Sequence, residues 1–147
     1  VSAPAERVGW LELAAPALAP RAALILLGVW LNAADSLVTA TLMPSVARSL
    51  HAFSGFGLSV AGYLTGAIVA GASAGRLSQR FGLRPAMIVA GLVYSAGCLT
   101  SAGAPGLAAF VGGRVVQGIG AGWIVGFCYV AIGVVFPQRL WARMFGL

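Results

Sequence analysis

The chain has 147 residues, a length that by itself suggests one domain. Hydrophobic residues make up 60% of it before its 21 glycines are counted, and charged residues only 8%; soluble domains run at roughly 45–50% apolar with glycine included and about 25% charged. So few charges cannot clothe a water-soluble globule, which excludes a disordered tail, a coiled coil and most soluble enzymes, and leaves lipid as the main solvent.

A helix needs about 20 mostly apolar residues to cross a bilayer. Residues 1–21 are rich in Ala and Pro and read as an N-terminal cytoplasmic segment. Apolar windows then predict membrane-spanning helices over about 22–43, 53–75, 86–104 and 106–136, with the start of a fifth from 138. The first window holds one charge, Asp35, and the last holds one, Arg114. Residues 44–52 and 76–85 read as short connections, and Pro105 with Gly106 as a tight turn. The predicted fold class is all-α, a polytopic transmembrane helical bundle.

The net charge of +6 comes from nine arginines, no lysine and three acids, Glu6, Glu12 and Asp35. The arginines stand singly or in short loops instead of along one solvated face, which argues against a nucleic-acid partner. They suit an anionic membrane surface. Arg7, Arg21, Arg76, Arg80, Arg84, Arg139 and Arg143 fall on one side of the four spans and Arg48 on the other. The arginine-rich side is expected to be cytoplasmic, which places a multi-pass protein in the cell membrane with its N-terminus inside. The two cysteines, Cys98 and Cys128, lie in apolar stretches without C-x-x-C spacing and read as buried free thiols. His51 falls in a connection. No metal, cofactor or catalytic constellation is expected.

A charge at mid-membrane costs roughly 2.5–3.5 kcal/mol on insertion scales, so it faces a partner or water. At about 1.5 Å per residue, Asp35 and Arg114 come to nearly the same depth on antiparallel helices. They are the candidate charge pair. One reading is a fixed ion pair that holds helices together; the other is a titratable pair lining a pathway. Asn32 and Thr39 share a stripe with Asp35 on the first span, and Gln117 lies three residues after Arg114. Asn32, Thr39, Tyr63 and Gln117 are the candidate cavity residues, with interhelical hydrogen bonding as the competing role for Asn32 and Thr39. Gly118, Gly122 and Gly126 repeat every four residues, a spacing that lets helix backbones approach closely.

At this point the chain resembles the major facilitator superfamily. Gly75-Arg76-Leu77-Ser78-Gln79-Arg80-Phe81-Gly82-Leu83-Arg84-Pro85 is similar to the family's G-x-L-a-D-R-x-G-R-[RK] loop between helices two and three. Gln79 stands where the family has Asp, and Leu83 where it often has Arg. Gly113 to Gly122 is similar to the R-x-x-Q-G-x-G-A motif of helix four. Asp35, nine residues before Pro44, is similar to the helix-one motif of the drug/proton antiporter branch, in the Asp and the Pro. Tyr63-Leu64 resembles the helix-two Y-x-L region. The resemblance spans about Leu31–Leu147, in the family's motif order.

The resemblance implies the first four helices of the fold, the N-terminal part of a secondary transporter that works by alternating access between two six-helix halves. Its partners would be the lipid bilayer, a small-molecule or drug substrate, protons, and the remaining C-terminal part of the transporter. Asp35 would be a proton or cation site and Arg114 its coupling partner. Gly75, Gln79, Arg80, Gly82 and Arg84 would belong to a cytoplasmic gate loop. The alternative is a truncated or non-transporting membrane helical module, to which the missing acid at Gln79 lends weight.

Overall fold

A computed structural model describes residues 19–49 and 55–135. The expected N-terminal segment, apart from residues 19–21, lies outside the described residues, as do His51 and the fifth helix expected from 138. Four helices follow one another: α1 (Ala19–Ser49), α2 (Gly55–Phe81), α3 (Leu83–Ala102) and α4 (Leu107–Val135). Each is long and apolar enough to cross a membrane. No strand occurs among the described residues. The chain forms a multi-pass membrane helical bundle.

Three helices overrun their apolar windows, α1 at both ends, α2 at its C-terminal end and α3 at its N-terminal end, whereas α4 falls within its own. Hydropathy marks only the part that crosses hydrocarbon, whereas backbone hydrogen bonding carries a helix on into the polar interface. Thus α1 continues through Pro44 to Ser49, over most of the expected connection 44–52. The expected loop 76–85 is helical except at Gly82. Arg76–Phe81 form the end of α2, and Leu83–Pro85 the first turn of α3.

Gly82 alone reverses the chain. Its N–H donates to the Ser78 carbonyl at 3.0 Å, and its carbonyl accepts from the Ala86 N–H at 3.3 Å. It therefore ends one helix and starts the next, at φ +84°. With ψ at 153° this is the extended positive-φ region essentially reserved for glycine, where another residue costs about 1–3 kcal/mol. Pro85 sits in the first turn of α3, where a missing N–H leaves no intrahelical bond unmade. Gly75, grouped with Gly82 by motif, lies inside α2 with open space where a Cβ would go. Gly82→Ala is expected to lower the melting temperature of the full-length protein by the equivalent of about 1–3 kcal/mol. Gly75→Ala should raise it by about 0.5–1 kcal/mol, through lower backbone entropy in the unfolded chain. Equal melting of the two variants would remove the positive-φ requirement.

α4 is the central helix, packed lengthwise on both α2 and α3. One of its faces is the glycine ladder. A Cβ at Gly118 would strike the Tyr63 backbone, one at Gly122 the Ala67 backbone, and one at Gly126 the Ala74 Cβ at 2.5 Å. The ascending pairing makes α2 and α4 parallel. A second face, which the every-fourth-residue repeat did not pick out, meets α3: Gly113 against Ser101, Gln117 against Gly97, and Gly120 against Tyr94. This pairing descends, so α3 runs antiparallel to α4. α1 joins through Ala22, Ile25, Cys128, Ala131 and Ile132, with the Cys128 thiol 3.8 Å from the Ile25 carbonyl. Cys128 is a buried free thiol, whereas Cys98 is only half-buried.

Candidate functional site

These three pairings bring one level of all four helices together, and the polar residues sit there. Arg114 and Gln117 project from α4 one turn apart. Both are buried, at 6% and 4% exposure. Gln117 Nε2 donates to Asp35 Oδ1 of α1 at 2.7 Å. Arg114 Nη1 donates to Gln117 Oε1 at 2.8 Å. The amide orientation follows from charge: its carbonyl faces the guanidinium and its NH2 the carboxylate. Arg114 Nη1 also lies 3.6 Å from Asp35 Oδ2, within ion-pair range but too far for a hydrogen bond. Gln117 is thus the hydrogen-bonded bridge across a loose ion pair.

The guanidinium stacks on Tyr63 of α2, with Cζ 4.4 Å from the ring centroid. A cation over an aromatic face gains electrostatic attraction that replaces part of its lost hydration. Gly118 makes the stacking possible, because its missing side chain lets the Tyr63 backbone approach α4. Asp35 Oδ2, Arg114 Nε and the Tyr63 hydroxyl are buried and have no hydrogen-bond partner. Buried polar atoms without partners are rare in native structures and mark places where another group can bind.

α3 contributes two residues that the sequence reading did not select. Tyr94 lies within electrostatic reach of Asp35 and Gln117, and Cys98 within reach of Asp35 and Arg114. At about 1.5 Å per residue Cys98 comes to nearly the depth of Asp35 and Arg114, and Tyr94 one turn nearer the Gly82 corner, but neither carries a charge that would single it out. Asn32 is not brought to the pair. It lines a separate groove of about 350 Å³ with Leu64, Ile68, Val125 and Tyr129. Thr39 is half-buried one turn beyond Asp35 and has no hydrogen bond to the pair. Gln79, Arg80 and Arg84 are exposed around Gly82, far along the chain from the charge pair. Among the described residues no cluster of His, Cys, Asp or Glu could hold a metal ion.

The sequence profile described as Major Facilitator Superfamily matches residues 25–147. A probable multidrug-efflux transporter of Mycobacterium tuberculosis is 30% identical over 116 residues, covering 79% of this chain and 25% of that protein. An MFS-type transporter of Aspergillus terreus is 31% identical, covering 82% of this chain and 22% of its own length. Multidrug resistance protein 3 of Bacillus subtilis is 28% identical, with coverages of 84% and 24%. The chain therefore spans about a quarter of the length of these curated relatives. No solved structure matches. With its motifs placed on the helices in family order and the profile covering most of its length, the chain belongs to the Major Facilitator Superfamily.

Proposed function

We propose that this chain is one wall of a proton-coupled secondary transporter that exports small molecules or drugs by alternating access, and that it is not an enzyme. The observation that carries the reading is the Asp35–Gln117–Arg114 chain, buried mid-bundle and stacked on Tyr63. Asp35 is the proton site and Arg114 its charge partner. Because the direct Asp35–Arg114 contact is not a hydrogen bond, protonation of Oδ2 loosens the pair while Gln117 keeps its grip on Oδ1. Tyr63, Tyr94 and Gln117 border the space that substrate enters. The Gly82 corner, with Gln79, Arg80 and Arg84, belongs to the inner gate, which closes against the C-terminal part of the transporter.

The relatives named for multidrug efflux and for multidrug resistance support a drug-like substrate. The test is efflux from proteoliposomes containing the full-length protein, with and without an imposed pH gradient. Gradient-dependent efflux of a lipophilic dye is expected. A non-transporting helical module, the reading favoured by Gln79 in place of an acid, gives no efflux under either condition.

The cell membrane is the proposed location, with the N-terminus and the Gly82 corner cytoplasmic. Gln79, in the last turn of α2 beside the Gly82 corner, and Gly103, just past the far end of α3, lie at opposite ends of the bundle and are both exposed. In a full-length background lacking Cys98 and Cys128, an impermeant thiol reagent applied to intact cells should label Gly103→Cys and spare Gln79→Cys. The reverse pattern inverts the topology.

A further inference from the structure

A groove of about 280 Å³ lies between the Gly82 corner and α4, lined by Leu77 and Phe81 of α2, Pro85, Ala86 and Val89 of α3, and Trp123 and Phe127 of α4. The open surface of the groove is wholly apolar, over a floor closed by the buried Phe127 ring. The single indole N–H is turned inward, donating to Ser73 Oγ at 2.9 Å. Phe81 and Val89 are 63% and 50% exposed. The groove runs along the helix axes: Pro85 to Val89 and Phe127 to Trp123 are each one turn, or about 6 Å, from the corner toward the middle of the bundle. That is the direction an acyl chain takes from its headgroup.

The rim has the opposite chemistry. Arg76, Arg80 and Arg84 each stand one residue before a lining residue, Leu77, Phe81 and Pro85, and all three are exposed. The Arg80 guanidinium lies over the Phe81 ring, with Cζ 5.6 Å from its centroid, which fixes a cation at the groove's edge. Among the described residues Asp35 is the sole carboxylate side chain, and it is engaged by Gln117 and Arg114 at the middle of the bundle. The corner therefore concentrates three cations with no acidic side chain beside them among the described residues, and Gln79 between them is neutral.

We propose that this corner is a binding site for one anionic phospholipid. The phosphate headgroup is held by Arg80 and Arg84, with Arg76 adding charge, and an acyl chain lies along Phe81, Val89 and Trp123. Bare arginines at a bilayer surface attract anionic lipid diffusely; the apolar groove starting between them makes the contact a site with a defined chain position. The inference shares Arg80 and Arg84 with the proposed inner gate but not the proton site, since it uses neither Asp35 nor Arg114, and its lipid readouts do not require transport.

The test is native mass spectrometry of the full-length protein released from detergent with phosphatidylglycerol or phosphatidylcholine of identical acyl chains. At equal lipid concentration, retention of the first phosphatidylglycerol is expected to exceed that of phosphatidylcholine about tenfold. Arg80→Gln/Arg84→Gln should erase the preference. Val89→Trp, which fills the groove at an exposed position, should lower retention of phosphatidylglycerol while leaving all three arginines. Inorganic phosphate alone should not be retained. Equal retention of the two lipids, an unaffected Val89→Trp variant, or retention of free phosphate overturns the proposal. A photoreactive benzoylphenylalanine at position 89 adds a readout in native membranes that does not depend on detergent. A lipid-mass adduct supports the site, and a crosslink to protein at that position overturns it.

Discussion

Asp35→Asn is expected to reduce pH-gradient-driven efflux by the full-length protein to background while leaving membrane insertion intact. Asparagine has nearly the shape of aspartate, and its Oδ1 still accepts from Gln117 Nε2, the 2.7 Å bond of the native chain. It cannot carry the negative charge that faces the Arg114 guanidinium. Arg114→Ala is expected to be more damaging to stability, because it strands the Asp35 carboxylate, only 11% exposed, with one amide donor. Removing one partner of a buried ion pair destabilises by about 3–5 kcal/mol, chiefly through the uncompensated charge left behind. The double variant Asp35→Asn/Arg114→Gln removes both charges and should therefore melt closer to wild type than Arg114→Ala alone. It should still be inactive. That split separates the two readings of the pair: helix glue predicts that function returns with stability, whereas a proton site predicts that it does not. Wild-type efflux in either Asp35→Asn or the double variant would reduce Asp35 to a structural residue and move the proton site elsewhere in the protein.

The proximity of Asp35 and Arg114 was legible in the sequence because two charges in otherwise apolar helices are expensive and their depths follow from residue counting. Their linkage was not. Gln117 was visible as a polar neighbour of Arg114, but depth alone does not say which side chain reaches across; the amide bridges because the carboxylate and guanidinium stop 3.6 Å apart. Asn32 looked like a companion of Asp35. A spacing of three residues, however, turns about 60° away around a helix, enough here to send Asn32 into a different groove. Tyr94 and Cys98 carry no charge, so nothing in an apolar span distinguished them from packing residues. Helix ends were the least legible feature. An arginine side chain can stretch its charge to the interface while its backbone stays helical, so Arg76, Arg80 and Arg84 did not mark a loop. Gly82 did mark the reversal, because the corner needs a positive φ there and an ordinary side chain resists it.

The second large effect is expected from the glycine ladder, and it links packing to the site. Gly118 and Gly122 lie against the backbones of Tyr63 and Ala67, close enough that a Cβ at either position overlaps main-chain atoms. Backbone cannot rotate away as a flexible side chain can, so α2 and α4 must separate to admit even a methyl group. Overpacking a well-fitted core typically costs 1–3 kcal/mol, occasionally more; the upper end or beyond, about 3 kcal/mol, is expected for Gly122→Leu. Gly118→Ala is the more informative change. It adds one carbon against Tyr63, the residue whose ring lies 4.4 Å from the Arg114 guanidinium. The methyl group should push Tyr63 outward, weaken the stacking, and impair efflux well before it unfolds the protein. Gly126→Ala provides the graded comparison on the same face, since its Cβ would meet the Ala74 methyl group at 2.5 Å instead of the closer-lying backbone that Gly118 and Gly122 face. Measured together by thermal melting and dye efflux, the series should rank Gly122→Leu first in lost stability and Gly118→Ala first in activity lost per degree of melting temperature. If Gly118→Ala and Gly126→Ala lose activity only in proportion to stability, the ladder is packing alone, and Tyr63 does not transmit the α2–α4 spacing to the charge pair.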